Sequence, residues 1–265
     1  MPRTLWGMPA KEYLVDAPCW VDLTSSDPST VVPFYNGLFG WEADVSKEAE
    51  YGGYTTFFKD GVAVAGLGGQ MPGTTVTNVW NTYIGSADAN ATVARATDAG
   101  GQVLCPAMQV GDQGTMALVV DAGGAIAGVW QPNRHRGYGL WGEHGTPVWH
   151  EQFTRGYRAA LAFYESVFDW TYDVLGDTDE FRYSQGIVGG DMIAGIMDAE
   201  VFLPADVPSH WRLYIGVDDT DAAVEKVKDL GGTVVDAAED SPFGRIAGIA
   251  DPLGARLQIA SIVRS

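Results

Sequence analysis

Two stretches of the chain carry the same pattern of apolar and polar positions. Between Trp149 and Trp170, apolar and aromatic residues first alternate, which is typical of a strand with two different faces, and this run stops at Arg155-Gly156. Apolar residues then recur every three or four positions, which predicts an amphipathic helix. The stretch from Trp20 to Trp41 repeats this order 129 residues earlier, including the Phe-Tyr pair of the helix. The pattern predicts a strand–turn–helix unit that occurs twice.

The repetition continues along the chain in the same order. WNTYIGSADANATVARATDAGG from Trp80 matches WRLYIGVDDTDAAVEKVKDLGG from Trp211 at a spacing of 131 residues, and DAGGA from Asp121 matches DPLGA from Asp251 at a spacing of 130. Three matching blocks at nearly constant spacing indicate an internal duplication. We therefore expect two homologous domains of about 120 residues, a size that can bury one core each.

Alternation, helical spacing and turn residues predict the order βαβββ twice in each half. In the first half we expect strands at 19–23, 51–59, 62–68, 78–84, 103–105, 115–120 and 125–131, with helices from 26 or 27 to 37 and over 86–99. In the second half we expect strands at 148–153, 181–184, 190–198, 212–217, 233–235, 245–250 and 255–260, with the helix that follows the first strand and a second over 220–230.

These elements divide the chain into four segments. We expect a loose N-terminal arm at 1–14, a first domain at 15–132, a linker at 133–145 that is rich in glycine and basic residues, and a second domain at 146–263. The glycine pairs at 100–101 and 231–232 follow helices, so we interpret them as helix ends and not as phosphate-binding loops.

Composition and charge restrict the class of protein. The chain has 265 residues, 46% of them hydrophobic, and a net charge of −18, which would repel nucleic acids and anionic membranes. No apolar run reaches the roughly 18 residues of a membrane span, and the N-terminus lacks a signal-peptide pattern. Two cysteines do not make a disulfide framework. We expect a cytoplasmic monomer or homodimer whose partner is a small hydrophobic molecule, with no nucleic acid and no membrane.

The motifs together resemble a known superfamily. A strand followed by a helix with Phe-Tyr, the segments VWNTYIG (79–85) and GVWQPNRH (128–135), and the closing DPLGARLQ segment (251–258) resemble the vicinal oxygen chelate superfamily, which includes glyoxalase I, extradiol dioxygenases and bleomycin-resistance proteins. The chain is most similar to tandem two-domain glyoxalase-like proteins of high-GC bacteria. The resemblance implies an α+β fold of two tandem glyoxalase-like domains. Each would pair two βαβββ units into a curved, half-open, eight-stranded sheet with helices outside.

The resemblance also implies where metal ligands lie in metal-dependent members of the superfamily. These positions fall on the first, fifth and closing strand of each domain, at Trp20, Asn81 and Gly128 and at Trp149, Arg212 and Gln258. Tryptophan and arginine cannot ligate a divalent metal, and glycine has no side chain. We therefore expect no metal and no other cofactor.

The same strand faces would line two concave surfaces, which we call the first cup and the second cup. The first cup would carry Trp20, Asp22, Thr24, Asn81, Tyr83, Ile126 and Trp130, and the second Trp149, Glu151, Phe153, Arg212, Tyr214, Arg256 and Gln258. Aromatic walls with a few polar groups suit a flat, apolar, oxygenated ligand. The candidate catalytic residues are Glu151, Arg212, Asp22 and Tyr214, and the candidate ligand-binding residues are Trp20, Asn81, Tyr83, Trp130, Trp149, Phe153 and Gln258.

Structural roles compete with these assignments. Each aromatic residue alone is also explained by core packing, and Glu151 with Arg212 could be a structural ion pair. We expect neutral neighbours to let the pKa of Asp22 rise, and Arg212 to lower that of Glu151. Strand alternation places His150 and Cys19 on the buried face opposite the cups, as structural residues. The other three histidines of the chain are expected at the surface: His135, His144 and His210.

We expect a metal-independent enzyme of the lyase or cyclase type that tailors an aromatic, polyketide-like molecule. A carboxylate among tryptophans would supply acid–base catalysis for dehydration, cyclisation or ketal formation. The alternative is a resistance protein that binds and sequesters a drug or metabolite, which needs the aromatic walls and not the carboxylates. A metal-dependent glyoxalase or dioxygenase is disfavoured by the ligand positions. Arg212, which could hold an oxyanion, favours the second cup as the site.

Overall fold

The computed structural model describes residues 15–69 and 78–262, so the predicted N-terminal arm and part of the predicted loop at 68–73 lie outside it. The first half contains β1 Pro18–Ser25, α1 Pro28–Phe39, β2 Glu42–Val45, β3 Thr55–Lys59, β4 Val62–Gly69, β5 Val79–Gly85, α2 Ala89–Asp98, β6 Gln102–Val110, β7 Gly114–Val120 and β8 Ile126–Pro132. The limits of the two domains and of the linker at 133–145 stay predictions.

The second half repeats this order. It contains β9 Pro147–Thr154, α3 Tyr157–Phe168, β10 Thr171–Asp177, β11 Arg182–Val188, β12 Asp191–Asp198, β13 His210–Val217, α4 Thr220–Asp229, β14 Thr233–Ser241, β15 Gly244–Ala250 and β16 Arg256–Ser261. The βαβββ order, predicted twice in each half, is confirmed.

Each half forms one open, eight-stranded, mixed sheet. The strand order is β2-β3-β4-β1-β5-β8-β7-β6 in the first sheet and β10-β11-β12-β9-β13-β16-β15-β14 in the second. The two βαβββ units of a sheet meet where β1 pairs antiparallel with β5, and where β9 pairs antiparallel with β13. The predicted α+β fold of two tandem, eight-stranded sheets is confirmed.

Two strands have no counterpart among the predicted segments. β2 and β10 each follow a helix and form one edge of their sheet, and nearly all of their residues are exposed. An edge strand with little burial on either face shows no alternation of apolar and polar residues, so the pattern could not locate it. For the same reason β6 and β14, the opposite edges, extend well beyond the predicted 103–105 and 233–235.

The helices begin and end where their local chemistry predicts. Asp27, Asp88 and Asp219 cap the starts of α1, α2 and α4, each accepting a hydrogen bond from a backbone N–H in the first turn. Gly100 and Gly231, which follow α2 and α4, adopt the left-handed conformation that residues after a helix C-terminus favour. In the described residues, no helix is long and apolar enough to cross a membrane.

The two sheets share two cores between their convex faces. In one core, Phe34 and Tyr35 of α1 pack with Val224 and Val227 of α4. In the other, Ala96 of α2 packs with the apolar face of α3, which carries Phe163, Tyr164 and Val167. Because the convex faces and helices are buried against each other, the two concave faces point away from the shared cores.

His150 lies on the buried side of β9, as predicted. Its side chain is fully buried, its Nε2 lies 2.8 Å from the hydroxyl of Tyr138, and its Nδ1 lies 3.3 Å from that of Thr82. Burial lowers the pKa of His150 to about 3, so the ring is neutral. Both ring nitrogens have partners, which confirms a structural histidine. Cys19 is likewise a buried thiol.

Candidate functional site

The second cup is built around the carboxyl group of Glu151. Trp149 and Glu151 lie two residues apart on β9 and therefore face the same side of the sheet. Tyr214, the cross-strand partner of Trp149, donates a hydrogen bond of 2.5 Å from its hydroxyl to Oε2 of Glu151. Tyr183 of β11 accepts a 3.3 Å hydrogen bond from the indole N–H of Trp149 and also bonds Glu151. Two tyrosines and a tryptophan thus surround one carboxyl group.

A glycine in β12 creates the space for Tyr183. Gly195 is the strand neighbour of Glu151, and a Cβ atom at this position would lie 2.0 Å from the hydroxyl oxygen of Tyr183. Any other residue would therefore displace the Tyr183 hydroxyl from its place beside Glu151. A glycine inside a strand often marks such a close approach.

An open cavity of about 60 Å³ lies over this carboxyl group. Its lining consists of aromatic, aliphatic and polar side chains: Trp149, Glu151, Tyr183, Gln185, Tyr214, Phe243 and Ile246. Gln185 is only 8% exposed. The cavity therefore offers an acid, hydroxyl groups and an amide within apolar walls.

Burial raises the pKa of Glu151, and hydrogen bonds from Tyr214 and Tyr183, followed by the charge of Arg212, only partly oppose this rise. Arg212 does lower the pKa of Glu151, as predicted, but burial outweighs this effect, so the predicted net decrease is not found. Arg212 is the cross-strand neighbour of Glu151, but its guanidinium carbon lies 3.5 Å from the centre of the Phe153 ring, and its Nε donates to Nε2 of His210 at 3.3 Å. Among the described residues, Arg212 and Glu151 form no ion pair.

The first cup repeats the same arrangement around Asp22. Asn81 donates to Oδ1 of Asp22 at 2.8 Å, and Tyr83 donates to Oδ2 at 2.9 Å. Tyr54, which corresponds to Tyr183, accepts from the indole of Trp20 at 3.0 Å and also bonds Asp22. Burial raises the pKa of Asp22, as predicted, against the opposing effect of these hydrogen bonds.

Side chains of the first domain and the linker fill the first cup. The His135 ring lies edge-on against Trp20 with 4.2 Å between ring centres, and 5.5 Å from the Trp130 ring. Trp130 donates its indole N–H to the backbone oxygen of His135 at 2.9 Å. The prediction that His135 lies at the surface is wrong, because the aromatic floor of the cup covers its ring. Burial lowers the pKa of His135 to about 4.

The second cup differs from the first at the position of Trp130, one of the two filling groups. Ala260 occupies the position on β16 that Trp130 occupies on β8, as the pairings Gly85↔Trp130 and Gly216↔Ala260 show. The small side chain of Ala260 leaves room for the cavity beside Trp149 and Tyr214, whose cluster packs with Phe243 and Ile246. The two cups are thus closely similar around their carboxyl groups but differ in the side chains that cover them.

The predicted site residues separate into three places. Trp149, Glu151 and Tyr214 meet at the cavity. Phe153 and Arg212 lie together beyond its edge, and Gln258, which is buried, is the strand neighbour of Tyr214. The remaining predicted residues lie in the filled first cup: Trp20, Asp22, Asn81, Tyr83 and Trp130. His210, which we expect at the surface, is partly exposed there and stacks on Phe153.

Tyr54, Tyr183 and Gln185 were not among the predicted site residues. A single tyrosine near a strand is most simply explained by packing, so the alternation gave no reason to select them. The duplication could have indicated the two tyrosines, because Tyr54 and Tyr183 stand 129 residues apart. The glycines that make room for them, Gly66 and Gly195, have the same spacing. A repeated tyrosine with a repeated strand glycine indicates a shared local geometry.

The donor set of neither cup fits a divalent metal. A protein metal site needs three or four His, Cys, Asp or Glu ligands, and the described residues bring no such group of three together. Each cup has one carboxylate, and tyrosine hydroxyls already donate to it. That the protein binds no metal stays a prediction, and elemental analysis of purified protein is expected to find far less than one transition metal ion per chain.

Comparisons with known proteins give relatives along nearly the whole chain. The model of the glyoxalase/bleomycin resistance protein/dioxygenase superfamily matches residues 147–259. A putative glyoxylase, CFP32, of Mycobacterium bovis is 38% identical over 248 residues, which cover 92% of this chain and 94% of that protein. The anthracycline biosynthesis protein DnrV of Streptomyces peucetius is 33% identical over 264 residues, which cover 93% of each chain.

Solved structures share the fold at low sequence identity. The Mn(II)-bound glyoxalase from Novosphingobium aromaticivorans has a TM-score of 0.64 and 15% identity, with 94% of this chain and 83% of that chain covered. The halotolerant catechol dioxygenase BphC has a TM-score of 0.61 and 12% identity, with 94% and 88% covered.

Proposed function

The chain belongs to the glyoxalase/bleomycin resistance protein/dioxygenase superfamily, and from this premise we propose that its second cup binds a flat, oxygenated aromatic molecule and transfers protons to and from it through Glu151. The superfamily fold alone does not fix the chemistry, since one scaffold hosts many reactions. The proposal therefore rests on the residues of the cup.

One observation carries the proposal: the carboxyl group of Glu151, held by the Tyr214 hydroxyl, lines an open, largely apolar cavity. Burial disfavours the ionised form of Glu151, which moves its pKa towards neutrality. A carboxyl group whose pKa is close to the working pH can both give and take a proton, as general acid–base catalysis requires. Tyr214 and Tyr183 hold the group in one orientation by donating to its ionised form.

The neighbouring side chains suit an aromatic ligand. Trp149, Phe243 and Ile246 offer flat and apolar walls, and the amide of Gln185, which lines the cavity, can hold a ligand oxygen. A cavity of about 60 Å³ admits one edge of a polycyclic molecule, while the rest would lie along the open mouth. In the proposed elimination of water, the carboxylate of Glu151 takes a proton from a ring carbon, a C=C bond forms and the C–O bond to the hydroxyl group breaks. Glu151 returns the proton to the departing hydroxyl group, which leaves as water.

The substrate class is proposed from the relatives and the cup together. DnrV and DauV, named as anthracycline biosynthesis proteins, are each 33% identical to this chain over 93% of its length. We propose that this chain acts as a dehydratase or cyclase on an aromatic, polyketide-type compound, without a metal. The aromatic walls also favour a second function, which is sequestration of such a compound without turnover.

A mass-spectrometric assay distinguishes the two functions. Purified protein is incubated with hydroxylated, partly reduced naphthalenes and anthracenes that can lose water to become aromatic. An enzyme is expected to release a product lighter by one water per turnover, in excess over protein, with heat-denatured protein as the control. A binder returns the compound unchanged. If no compound is bound or converted, the second cup is not a site for this ligand class.

A further inference from the structure

Two arginines stand at the same end of two neighbouring strands of the second cup. Tyr214 of β13 and Gln258 of β16 are partners in a parallel pair, and Arg212 and Arg256 each stand two residues before them. Residues two apart on a strand share a face, so both arginines belong to the concave face that carries Tyr214. Arg256 is exposed, and Arg212 is partly buried against the ring of Phe153.

Neither arginine has a carboxylate in ion-pair contact within the described part of the chain. Among the described arginines, Arg95 and Arg136 also lack such a contact, although the net charge of the protein is −18. Five other arginines each contact an acidic side chain: Arg134, Arg155, Arg158, Arg182 and Arg245. Like charges on neighbouring strands destabilise a sheet, so stability does not explain this pair.

The charges of both arginines act on the imidazole of His210. Burial lowers its pKa, and the charges of Arg212 and Arg256 lower it further, against a backbone hydrogen bond that raises it. The ring is therefore neutral near pH 7. Its Nε2 accepts from Arg212 at 3.3 Å, and this contact fixes the guanidinium over Phe153.

The duplication supplies an internal comparison. The first cup has Asn81 and Ile126 where the second has Arg212 and Arg256. The first cup is the one filled by His135 and Trp130, and the second contains the cavity. The arginine pair thus accompanies the open cup and is absent from the filled one.

We propose that Arg212 and Arg256 form an anion subsite at the edge of the second cup. This subsite holds the carboxylate or phosphate group of a ligand whose aromatic ring enters the cavity. Guanidinium groups form strong, charge-assisted hydrogen bonds to both anions, and Phe153 keeps that of Arg212 in place. The inference rests on the proposed function of the second cup and specifies its ligand as an aromatic acid or aromatic phosphate.

Calorimetric titration with matched naphthalene probes tests the subsite. 2-Naphthoate and 2-naphthyl phosphate carry the anion, and methyl 2-naphthoate is the neutral counterpart. We expect at least one anionic probe to bind the wild type about tenfold or more tightly than the neutral probe, equivalent to about 1.4 kcal/mol. The two anionic probes together show which anion the subsite prefers. Added salt should reduce the advantage, because it screens charges.

The double variant R212N/R256I places the residues of the first cup in the second. It should bind the anionic probes no more tightly than the neutral probe, and its affinity for the neutral probe should equal that of the wild type. R158Q, at an exposed arginine that pairs with Asp177, is the matched control and should keep the advantage. R256I alone alters an exposed residue, so it should fold and lose part of the advantage even if the double variant does not fold.

Each outcome decides between the proposals. Equal affinity of anionic and neutral probes for the wild type, or an advantage that persists in R212N/R256I, overturns the subsite and leaves the aromatic cup in place. Failure of all three probes to bind the wild type contradicts both the subsite and the proposed function of the cup.

Discussion

Replacement of Glu151 by glutamine is expected to lower turnover by about 10²–10⁴-fold, the usual contribution of a general acid–base residue, with little change in ligand affinity. Glutamine preserves the size of the side chain and can still accept the hydrogen bond that Tyr214 donates. It cannot give or take a proton at the same place. Turnover is measured by mass spectrometry on a compound that the wild type converts, and affinity by calorimetry.

The matched control is Asp22→Asn in the filled first cup. Asp22 has an equivalent environment, with hydrogen bonds from Tyr83 and Tyr54, but His135 and Trp130 fill the cup above it. We expect this variant to retain wild-type turnover. Unchanged turnover in Glu151→Gln, or an equal loss in both variants, would show that Glu151 is not the proton-transfer group of the site.

Stability measurements separate loss of chemistry from loss of folding. Burial raises the pKa of Glu151 above its unfolded value, so the folded state is favoured most below the unfolded pKa and loses stability as pH rises towards the folded pKa. Glutamine does not ionise. The variant should therefore be at least as stable as the wild type at neutral pH, and the two should converge near about pH 4. Chemical denaturation across this range measures the difference.

Replacement of Asp121 by alanine is expected to reduce the free energy of unfolding by about 2–4 kcal/mol, because it leaves several buried donors without an acceptor at about 1–3 kcal/mol each. Asp121 is 4% exposed and joins the two halves of the chain. Its Oδ2 accepts from the Tyr164 hydroxyl at 2.7 Å and from the amide of Gln152. Its Oδ1 accepts from the backbone N–H of Gly123 at 2.7 Å. Alanine leaves all of these donors buried without this acceptor.

Asp251→Ala is the matched control, because Asp251 occupies the equivalent turn of the second half. It accepts from the Tyr35 hydroxyl at 3.0 Å, but Leu23 stands where the first network has Gln152. One buried donor fewer is left behind, so the expected loss is smaller. Urea denaturation of both variants measures the two losses. A loss below about 1 kcal/mol in Asp121→Ala, the value for a single ordinary hydrogen bond, would contradict a stabilising role for this contact between the sheets.

The fold could be predicted because the duplication fixes most of it. Matching blocks at Trp20 and Trp149, and at Trp80 and Trp211, predict two equivalent halves and the order of their elements. The edge strands β2 and β10 could not be located, because exposed strands carry no apolar alternation. The packing of α1 on α4 and of α2 on α3 also depends on contacts between the halves, which local patterns do not describe.

The site could be predicted only in part. Strand alternation correctly predicted that Trp149 and Glu151 lie on the same face of β9. Tyr214, the partner of Trp149 on the neighbouring strand β13, lies on that face too. The direction of the Arg212 side chain depends on its stacking on Phe153, and the filling of the first cup depends on how the linker returns over Trp20. Both are tertiary contacts between residues of different elements. No spacing along the chain specifies them, and they decide which cup is open.

The claim that the second cup is the ligand site is tested most directly by the indole N–H signals of the nine tryptophans in a ¹⁵N–¹H correlation spectrum. Trp149→Phe and Trp20→Phe assign the two signals that matter. On addition of 2-naphthoate, the signal of Trp149 is expected to shift with increasing ligand, while that of Trp20, covered by His135, stays in place. A shift of the Trp20 signal with that of Trp149 unchanged, or no shift in either, would contradict the claim.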